Sequence, residues 1–231
     1  MQKKIKSLFS GLIRTLDVFH RDIQEDIKKF AESLNKGSLL LDAGSGEGKY
    51  KAYFKHCNVI GVDKCIGDPN WDYSSVDVVG DLHSLPFKDN VFDAIICVVV
   101  FEHLRNPFRA MKELSRVLKK GGKIFIVFPF NWEIHQAPHD YFRFTEYGFK
   151  AMAEDSGLEI VSMEKKGCLF RVFHYQVASL IKSYNKSFVN FLVVLLFLPF
   201  FAIFMLVSGF IDRLTQICNY TPGYTTILKK R

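Results

Sequence analysis

The chain has 231 residues, 48% of them hydrophobic and 24% charged. This excludes general disorder and collagen-like repeats, and leaves room for one domain plus a further segment. The net charge of +7 permits nucleic-acid, anionic-lipid or anionic-ligand partners without choosing among them. Cys57, Cys65, Cys97, Cys168 and Cys218 are odd in number and widely spaced, with no C-x-x-C pair. That pattern argues against a disulfide framework and a zinc site, and fits a reducing compartment. No secretory signal is expected, because the first residues lack a continuous apolar run and a cleavage site.

Apolar residues from Ile5 to Phe30 recur at three- and four-residue spacing and predict a helix over 5–34. Lys3, Lys4, Lys6 and Arg14 flank its first half, so it either packs on the main domain or touches an anionic surface. An alternation of strands and helices follows. Strands are expected at Leu39–Ala43, Val59–Val62, Val76–Val79, Val91–Val100, Lys123–Phe128 and Leu158–Met163. Helices are expected near Lys49–His56, Pro107–Lys119 and Thr145–Asp155, with Gly121-Gly122 breaking the second. Thr145 suits an N-cap and Gly157 a stop. The alternation predicts an α/β fold on a mostly parallel sheet.

From Ser187 to Ile211 no residue carries a charge. The stretch is long enough to enter a bilayer core. It also explains why the mean hydropathy of an otherwise ordinary chain is slightly positive, at +0.07. Pro199 lies near its middle and is expected to break or kink a helix.

The stretch L-L-L-D-A-G-S-G-E-G-K-Y places Gly44, Gly46 and Gly48 directly after a strand. Glycines there permit a tight turn and close approach of backbone N–H groups to a ligand. Asp42 closes the first strand, Asp63 the second, and Asp81 follows the third. Three acidic strand ends describe a nucleoside pocket at the carboxyl edge of the sheet. A nicotinamide-dependent enzyme fits less well, since Gly48 comes one residue early for G-x-G-x-x-G.

With V-F-D-A-I-I-C-V-V-V-F-E-H-L (Phe92, Asp93, Glu102, His103), R-V-L-K-K-G-G-K-I-F-I and H-D-Y-F-R-F-T, residues 39–163 resemble the class I S-adenosylmethionine-dependent methyltransferases. More closely, they resemble the type 11-like, small-molecule branch. The resemblance implies a Rossmann-like, doubly wound, mostly parallel sheet with an antiparallel last strand. It implies S-adenosyl-L-methionine as cofactor; no metal is expected. Gly44, Gly46 and Gly48 would pass under its methionine part, and Asp42 would hold its amino group. Asp63 would take the ribose hydroxyls, Asp81 the adenine amino group with Leu82 beside it, and Cys97 and Val98 would line the methionine end. His139 and His103 are the candidate general bases, with His139 favoured. His135, Asp140 and Arg143 would contact the substrate, or Asp140 and Arg143 would pair with each other in a lid.

The resemblance also points to Tyr224–Lys229 as the last strand. The apolar segment then becomes an insertion that leaves the sheet and returns to it. The expected organisation is an N-terminal helical segment 1–37, a methyltransferase domain 38–175, an insertion 176–222 carrying the membrane segment 187–211, and a last strand with basic tail 223–231. With Pro199 near its middle, the segment is expected to be a monotopic hairpin of two half-helices or a steeply kinked membrane-embedded helix, in preference to a single span. Lys182 and Lys186 lie before the segment, and Arg213, Lys229, Lys230 and Arg231 after it, so both flanks read as cytoplasmic and their charges alone do not choose the topology. The function expected is a membrane-associated methyltransferase acting on an oxygen of a lipid-linked glycan, isoprenoid or quinone-like substrate. A cofactor-binding scaffold is the alternative. Membrane lipid is the expected partner and nucleic acid is not, since no target-recognition domain or N-P-P-Y-like loop is present.

Overall fold

The computed structural model describes residues 18–182 and 187–231. They form α1 (Val18–Glu32), β1 (Leu39–Ala43), β2 (Asn58–Asp63), β3 (Val78–Val79), β4 (Phe92–Val98), α2 (Pro107–Val117), β5 (Leu118–Pro129), α3 (Glu146–Glu154), β6 (Leu158–Lys165), α4 (Leu169–Lys182), α5 (Phe188–Thr215) and β7 (Gly223–Lys230). Most of the N-terminal half of the expected 5–34 helix lies outside the described residues.

The chain divides into two compact units. One comprises Gln24–Glu164 with Tyr224–Arg231. It holds a seven-stranded sheet in the order β3-β2-β1-β4-β5-β7-β6. The pairs among β3, β2, β1, β4 and β5 are parallel. β1 and β4, the central strands, are buried on both faces, which matches their Leu-, Ile- and Val-rich runs. β7 runs the other way. Its last residue, Lys230, reaches the Leu118 carbonyl at the start of β5 at 2.8 Å, while Tyr224 stacks on Phe128 near the end of β5. The core below the sheet is built from Leu41, Phe92, Ile95, Phe101, Met111, Ile126, Phe128 and Phe149.

Local chemistry sets the helix ends. Asn106 caps α2 by accepting the Arg109 amide at 3.0 Å, with Pro107 as its first residue. Thr145 caps α3 through the Gly148 amide at 3.1 Å, and Gly157 follows with φ +73°.

Several expected bounds move. The Lys49–His56 helix is only a 3-10 turn, Lys51–Phe54, whose N-cap Tyr50 supplies no side-chain hydrogen bond. β4 stops at Val98 because Val99 adopts φ +57°. α2 ends at Val117, and Gly121-Gly122 lies inside β5 rather than before it. The register between β4 and β5 shifts between Phe92 and Ala94, which marks a bulge. Gly122 is needed there, since a Cβ would lie 2.9 Å from the Asp93 carbonyl oxygen.

The other unit comprises Lys165–Gly223 together with the start of α1 as far as Ile23. Its helices α4 and α5 pack through Ala178, Ile181, Val194 and Met205. Asp212, near the end of α5, caps α4 by accepting the Cys168 and Phe170 amides at 2.7 and 2.9 Å. His174 and Ser208 hydrogen-bond at 2.8 Å inside the pair. The expected absence of disulfides is corrected: Cys168 and Cys218 are bonded. They flank the helical pair in sequence, and its antiparallel packing brings them together.

Of the break or kink expected at Pro199, the break is corrected. α5 runs 28 residues through that proline as one helix, about 42 Å long. A hairpin does form, but between α4 and α5. The outer face of α5 carries Val189, Leu196, Phe200, Ile203, Leu206, Phe210 and Leu214, which are 61–76% exposed.

Candidate active site

β1 pairs with both β2 and β4, placing Asp42 beside Gly61 and Ile96. The carboxyl ends of the three strands therefore lie together, where ligands bind in open α/β sheets. Gly44, Gly46 and Gly48 all have positive φ, at +78°, +51° and +68°. A Cβ on Gly44 would lie 2.6 Å from Val100 Cγ2, and one on Gly48 2.6 Å from Ser75 Oγ. At Gly44 and Gly48 the loop can thus offer backbone only, as a close-fitting ligand cradle requires.

Asp63 has a task the sequence reading did not foresee. Its carboxylate accepts the Gly46 amide at 2.9 Å and the Cys65 amide at 2.7 Å. The end of β2 thereby holds the glycine loop. A carboxylate has about four lone-pair sites, so two remain for other donors.

Asp42 is 4% exposed. Burial first, and then the repulsion of Asp63, raise its carboxyl to about 7, with Lys51 opposing. Such a group is short of a cation, and an ammonium beside it would stabilise its charged form.

Asp81 already has partners. Lys64 Nζ donates to it at 2.8 Å, the His83 amide at 2.9 Å, and His83 Nδ1 lies at 2.5 Å. Burial alone would raise its carboxyl, but Lys64 and His83 hold it well below the usual range. An adenine amino group would share this carboxylate with them. Lys64 and His83 were missed, although each stands within two residues of a named aspartate. Leu82 is buried in the core. Cys97 is fully buried; burial, then the charges of Glu102, Asp42 and Asp63, push its thiol well up, so it remains an unreactive thiol. Asp93, part of the recognised motif, is structural: it accepts the Leu39 amide at 2.8 Å and Lys119 Nζ at 2.6 Å.

A second group of residues is built on the turn after β4. Val99, β-branched at φ +57°, sits in a region such residues rarely adopt. After it Val100 packs against Gly44, and Glu102 is wholly buried. The Glu102 carbonyl accepts the amides of Tyr141 and Phe142 at 2.8 and 3.2 Å, docking the loop that follows β5. The His139 carbonyl accepts from His103 Nδ1 at 2.6 Å. His135 stacks on Trp132, and its amide donates to Asp140 at 2.9 Å. Burial lowers the His135 imidazole, but Glu102, the Glu133 carbonyl and Asp140 outweigh it and raise the net value. His103, His135, His139, Asp140 and Arg143 thus form one cluster. Val100, two residues before Glu102, packs against Gly44, so the two groups adjoin.

Arg143 is not free to grip a substrate. It binds Asp140 twice, at 2.5 and 2.8 Å, and donates to the carbonyls of Trp132, Glu133 and Phe142. All its nitrogens serve the loop. Asp140 accepts three hydrogen bonds, two from Arg143 and one from the His135 amide; burial raises it, but Arg143 and the His135 amide bring it down to about 2. These two residues staple the loop. His139 Nδ1 lies 3.0 Å from the Tyr141 hydroxyl, which also accepts from Arg105 Nε at 3.1 Å.

Residues 41–126 match the methyltransferase domain family. Over 115 residues the chain is 38% identical to a tRNA (carboxymethyluridine(34)-5-O)-methyltransferase of Xenopus tropicalis, covering 48% of this chain and 18% of that protein. Over 114 residues it is 32% identical to the protein of the same name from Schizosaccharomyces pombe, covering 48% of this chain and 49% of that one. The aligned part is therefore half or less of these relatives' length. A SAM-dependent methyltransferase from Methanosarcina mazei superposes with a TM-score of 0.52 at 17% identity, over 87% of this chain and 96% of that one. The [4+2]-cyclase SpnF superposes with a TM-score of 0.59 at 19% identity, over 90% and 81%. These two likenesses are of fold alone. The matched family, the acidic strand ends and the closed glycine cradle together identify residues 41–126 as part of a class I S-adenosylmethionine-dependent methyltransferase domain of the type 11-like branch, with S-adenosylmethionine as its cofactor.

Proposed function

We propose that the chain is a membrane-held methyltransferase that methylates an oxygen of a lipid-carried acceptor, such as a lipid-linked glycan, an isoprenoid or a quinone-like lipid. The observation that supports the membrane is α5. It is a helix of 28 residues, with mean hydropathy 2.9 over its candidate span and 17% of its most apolar window buried. A soluble core helix would be mostly covered. The α4–α5 pair joins β6 to β7, which are neighbours in one sheet, so the chain leaves and rejoins that sheet. A monotopic hairpin fits this connectivity, with the methyltransferase domain and the basic flanks on the cytoplasmic side.

The cofactor supplies an activated methyl group on a sulfonium. The rest falls to the chain. Asp42 would bind the amino group, Gly44, Gly46 and Gly48 would admit the backbone close to the ligand, and Asp63 would orient the loop and accept ribose hydroxyls. Asp81 would meet the adenine side together with Lys64 and His83. The loop of residues 131–143, docked on Glu102, would exclude water over the pocket. His139 or His103 would take the acceptor's proton, and positioning would carry much of the rate gain.

A second reading is favoured by the tRNA methyltransferases that the chain resembles over half its length: an RNA nucleoside as acceptor. Both readings face one experiment. The full chain is purified in detergent and incubated with labelled cofactor and, separately, total membrane lipid or total tRNA. Label in the lipid fraction supports the first reading. Label in tRNA alone overturns it in favour of the second. Alkaline carbonate extraction tests the anchor, and release of the chain into the supernatant would refute membrane insertion.

A further inference from the structure

We infer that Glu102, His103 and His135 form a binding site for a divalent transition-metal ion beside the cofactor pocket. Their ligand atoms all lie within 4.8 Å of one another. Glu102 Oε1 stands 3.7 Å from His103 Nε2 and 3.6 Å from His135 Nε2. Those separations are too long for hydrogen bonds. They are close to the edge of a tetrahedron whose ligands sit at about 2.1 Å from a central ion, which is about 3.4 Å.

The hydrogen-bond chemistry points the same way. Both Glu102 oxygens and both Nε2 atoms are buried and have no hydrogen-bond partner among the described residues. Glu102 is 0% exposed. Leaving a carboxylate in that state is costly. The tautomers are dictated by the far sides of the rings. His103 Nδ1 faces the His139 carbonyl at 2.6 Å, and His135 Nδ1 faces the Glu133 carbonyl at 3.2 Å. A carbonyl can only accept, so each Nδ1 carries the proton. In the neutral rings both Nε2 atoms then present lone pairs, and they present them to a carboxylate. Three electron-pair donors converge with no donor hydrogen between them. A cation belongs at their centre.

The surroundings suit a metal. Imidazoles that bind metals usually donate their other nitrogen to a carbonyl or carboxylate, as both rings do here. Asp140 Oδ2 adds a carboxylate 3.5 Å from His135 Nδ1. Two imidazoles and one carboxylate favour zinc, iron, cobalt or manganese over magnesium, which prefers all-oxygen shells. Three protein ligands leave positions open. If the methyl-transfer reading holds, on which this last step rests, the open positions select an acceptor through an oxygen donor atom. The site then sets the substrate class as hydroxyl-bearing or otherwise oxygen-chelating molecules.

The test uses the full chain in detergent, stripped with chelator and titrated with Co²⁺ as an optical reporter and with Zn²⁺ by calorimetry. One equivalent of either ion should bind, with Zn²⁺ displacing the Co²⁺ absorption. Mg²⁺ should not compete. His135→Ala and His103→Ala should each weaken binding by about 100-fold or more, and Glu102→Gln should do the same while keeping the buried shape. Circular dichroism checks that each variant folds. Absence of Co²⁺ and Zn²⁺ binding to the wild-type chain overturns the proposal, because it means that protons on the imidazoles fill the cation's place. Unchanged affinity in the folded variants overturns it equally. Calorimetry with the methyl donor on the same sample is a separate readout: its failure would remove the methyl-transfer reading and leave the metal site standing.

Discussion

The carboxylate of Asp63 holds the amide of Gly46 at 2.9 Å, so the end of the second strand fixes the shape of the loop after the first. The same carboxylate takes the Cys65 amide at 2.7 Å. Hydrogen bonds to a charged group contribute about 1.5–3 kcal/mol each. Asp63→Ala is expected to lower the stability of the ligand-free chain by about 2–3 kcal/mol and to weaken cofactor binding by about tenfold or more. Denaturant unfolding and calorimetry measure the two effects. An unchanged unfolding midpoint would show that the loop keeps its shape without Asp63.

Asp42 makes cofactor binding depend on pH. Burial and Asp63 raise its carboxyl from 3.8 to about 7 in the folded chain, with Lys51 partly opposing. The group that binds an ammonium is the carboxylate. Affinity should therefore be full above about pH 7 and fall by about tenfold per pH unit below it. Stability of the ligand-free chain runs the other way. A raised folded value favours the fold at low pH, and that benefit is lost as pH rises from 3.8 through about 7. The full shift corresponds to roughly 4 kcal/mol. Asp42→Asn should thus stabilise the ligand-free chain at about pH 8, by an amount that shrinks towards pH 4, while abolishing the pH dependence of binding. Calorimetric titrations across this range decide the matter, and a dissociation constant that stays flat would contradict the assignment.

The contrast between Asp42 and Glu102 shows what the sequence could and could not reveal. Asp42, the three glycines and Asp63 were legible because their meaning is local: an acid ends a strand and glycines follow it. The sheet was legible through its apolar runs, and β7 through Tyr224–Lys229. Glu102 was read only as a motif residue, and His103 as a motif residue and candidate base without its metal-binding company. Their partner His135 lies more than thirty residues on, in an irregular loop whose path no periodicity announces. The Cys168–Cys218 bond was hidden for the same reason, since only the packing of α4 on α5 brings its halves together. Local rules also misled. Lys49–His56 has helical spacing but yields one 3-10 turn, and Pro199 did not divide α5.

Gly44 combines two constraints that substitution can separate. An added Cβ meets Val100 Cγ2 at 2.6 Å, and φ is +78°. Gly121 has nearly the same φ, +75°, but nothing within 4 Å of an added Cβ. Gly121→Ala should therefore cost about 1–2 kcal/mol from backbone strain alone. Gly44→Ala should cost more than this and should also lose cofactor binding. Adding Val100→Ala to Gly44→Ala should recover most of the steric part, since only Val100 Cβ at 3.2 Å remains close, but not the dihedral part. Equal destabilisation by Gly44→Ala and Gly121→Ala would show that Val100 simply moves aside.

The Asp140–Arg143 pair fixes the loop that carries His135 and His139. Asp140's side chain is 2% exposed and Arg143's 22%, and the guanidinium also binds three carbonyls of the loop. Removing Arg143 leaves a buried carboxylate without its counter-charge, whereas removing both groups does not. Arg143→Ala should cost about 2–4 kcal/mol, discounted for its partial exposure. Arg143→Lys should recover little, because one ammonium cannot bind both oxygens of Asp140 and three carbonyls together. The double variant Arg143→Ala/Asp140→Asn should be less destabilised than the sum of its parts, by about 1–3 kcal/mol. Amide exchange over residues 131–145 should speed up in Arg143→Ala, while exchange in β1 and β2 stays as it was. If the two substitutions prove additive, the pair is not coupled and the loop is held by its backbone contacts to Glu102 alone.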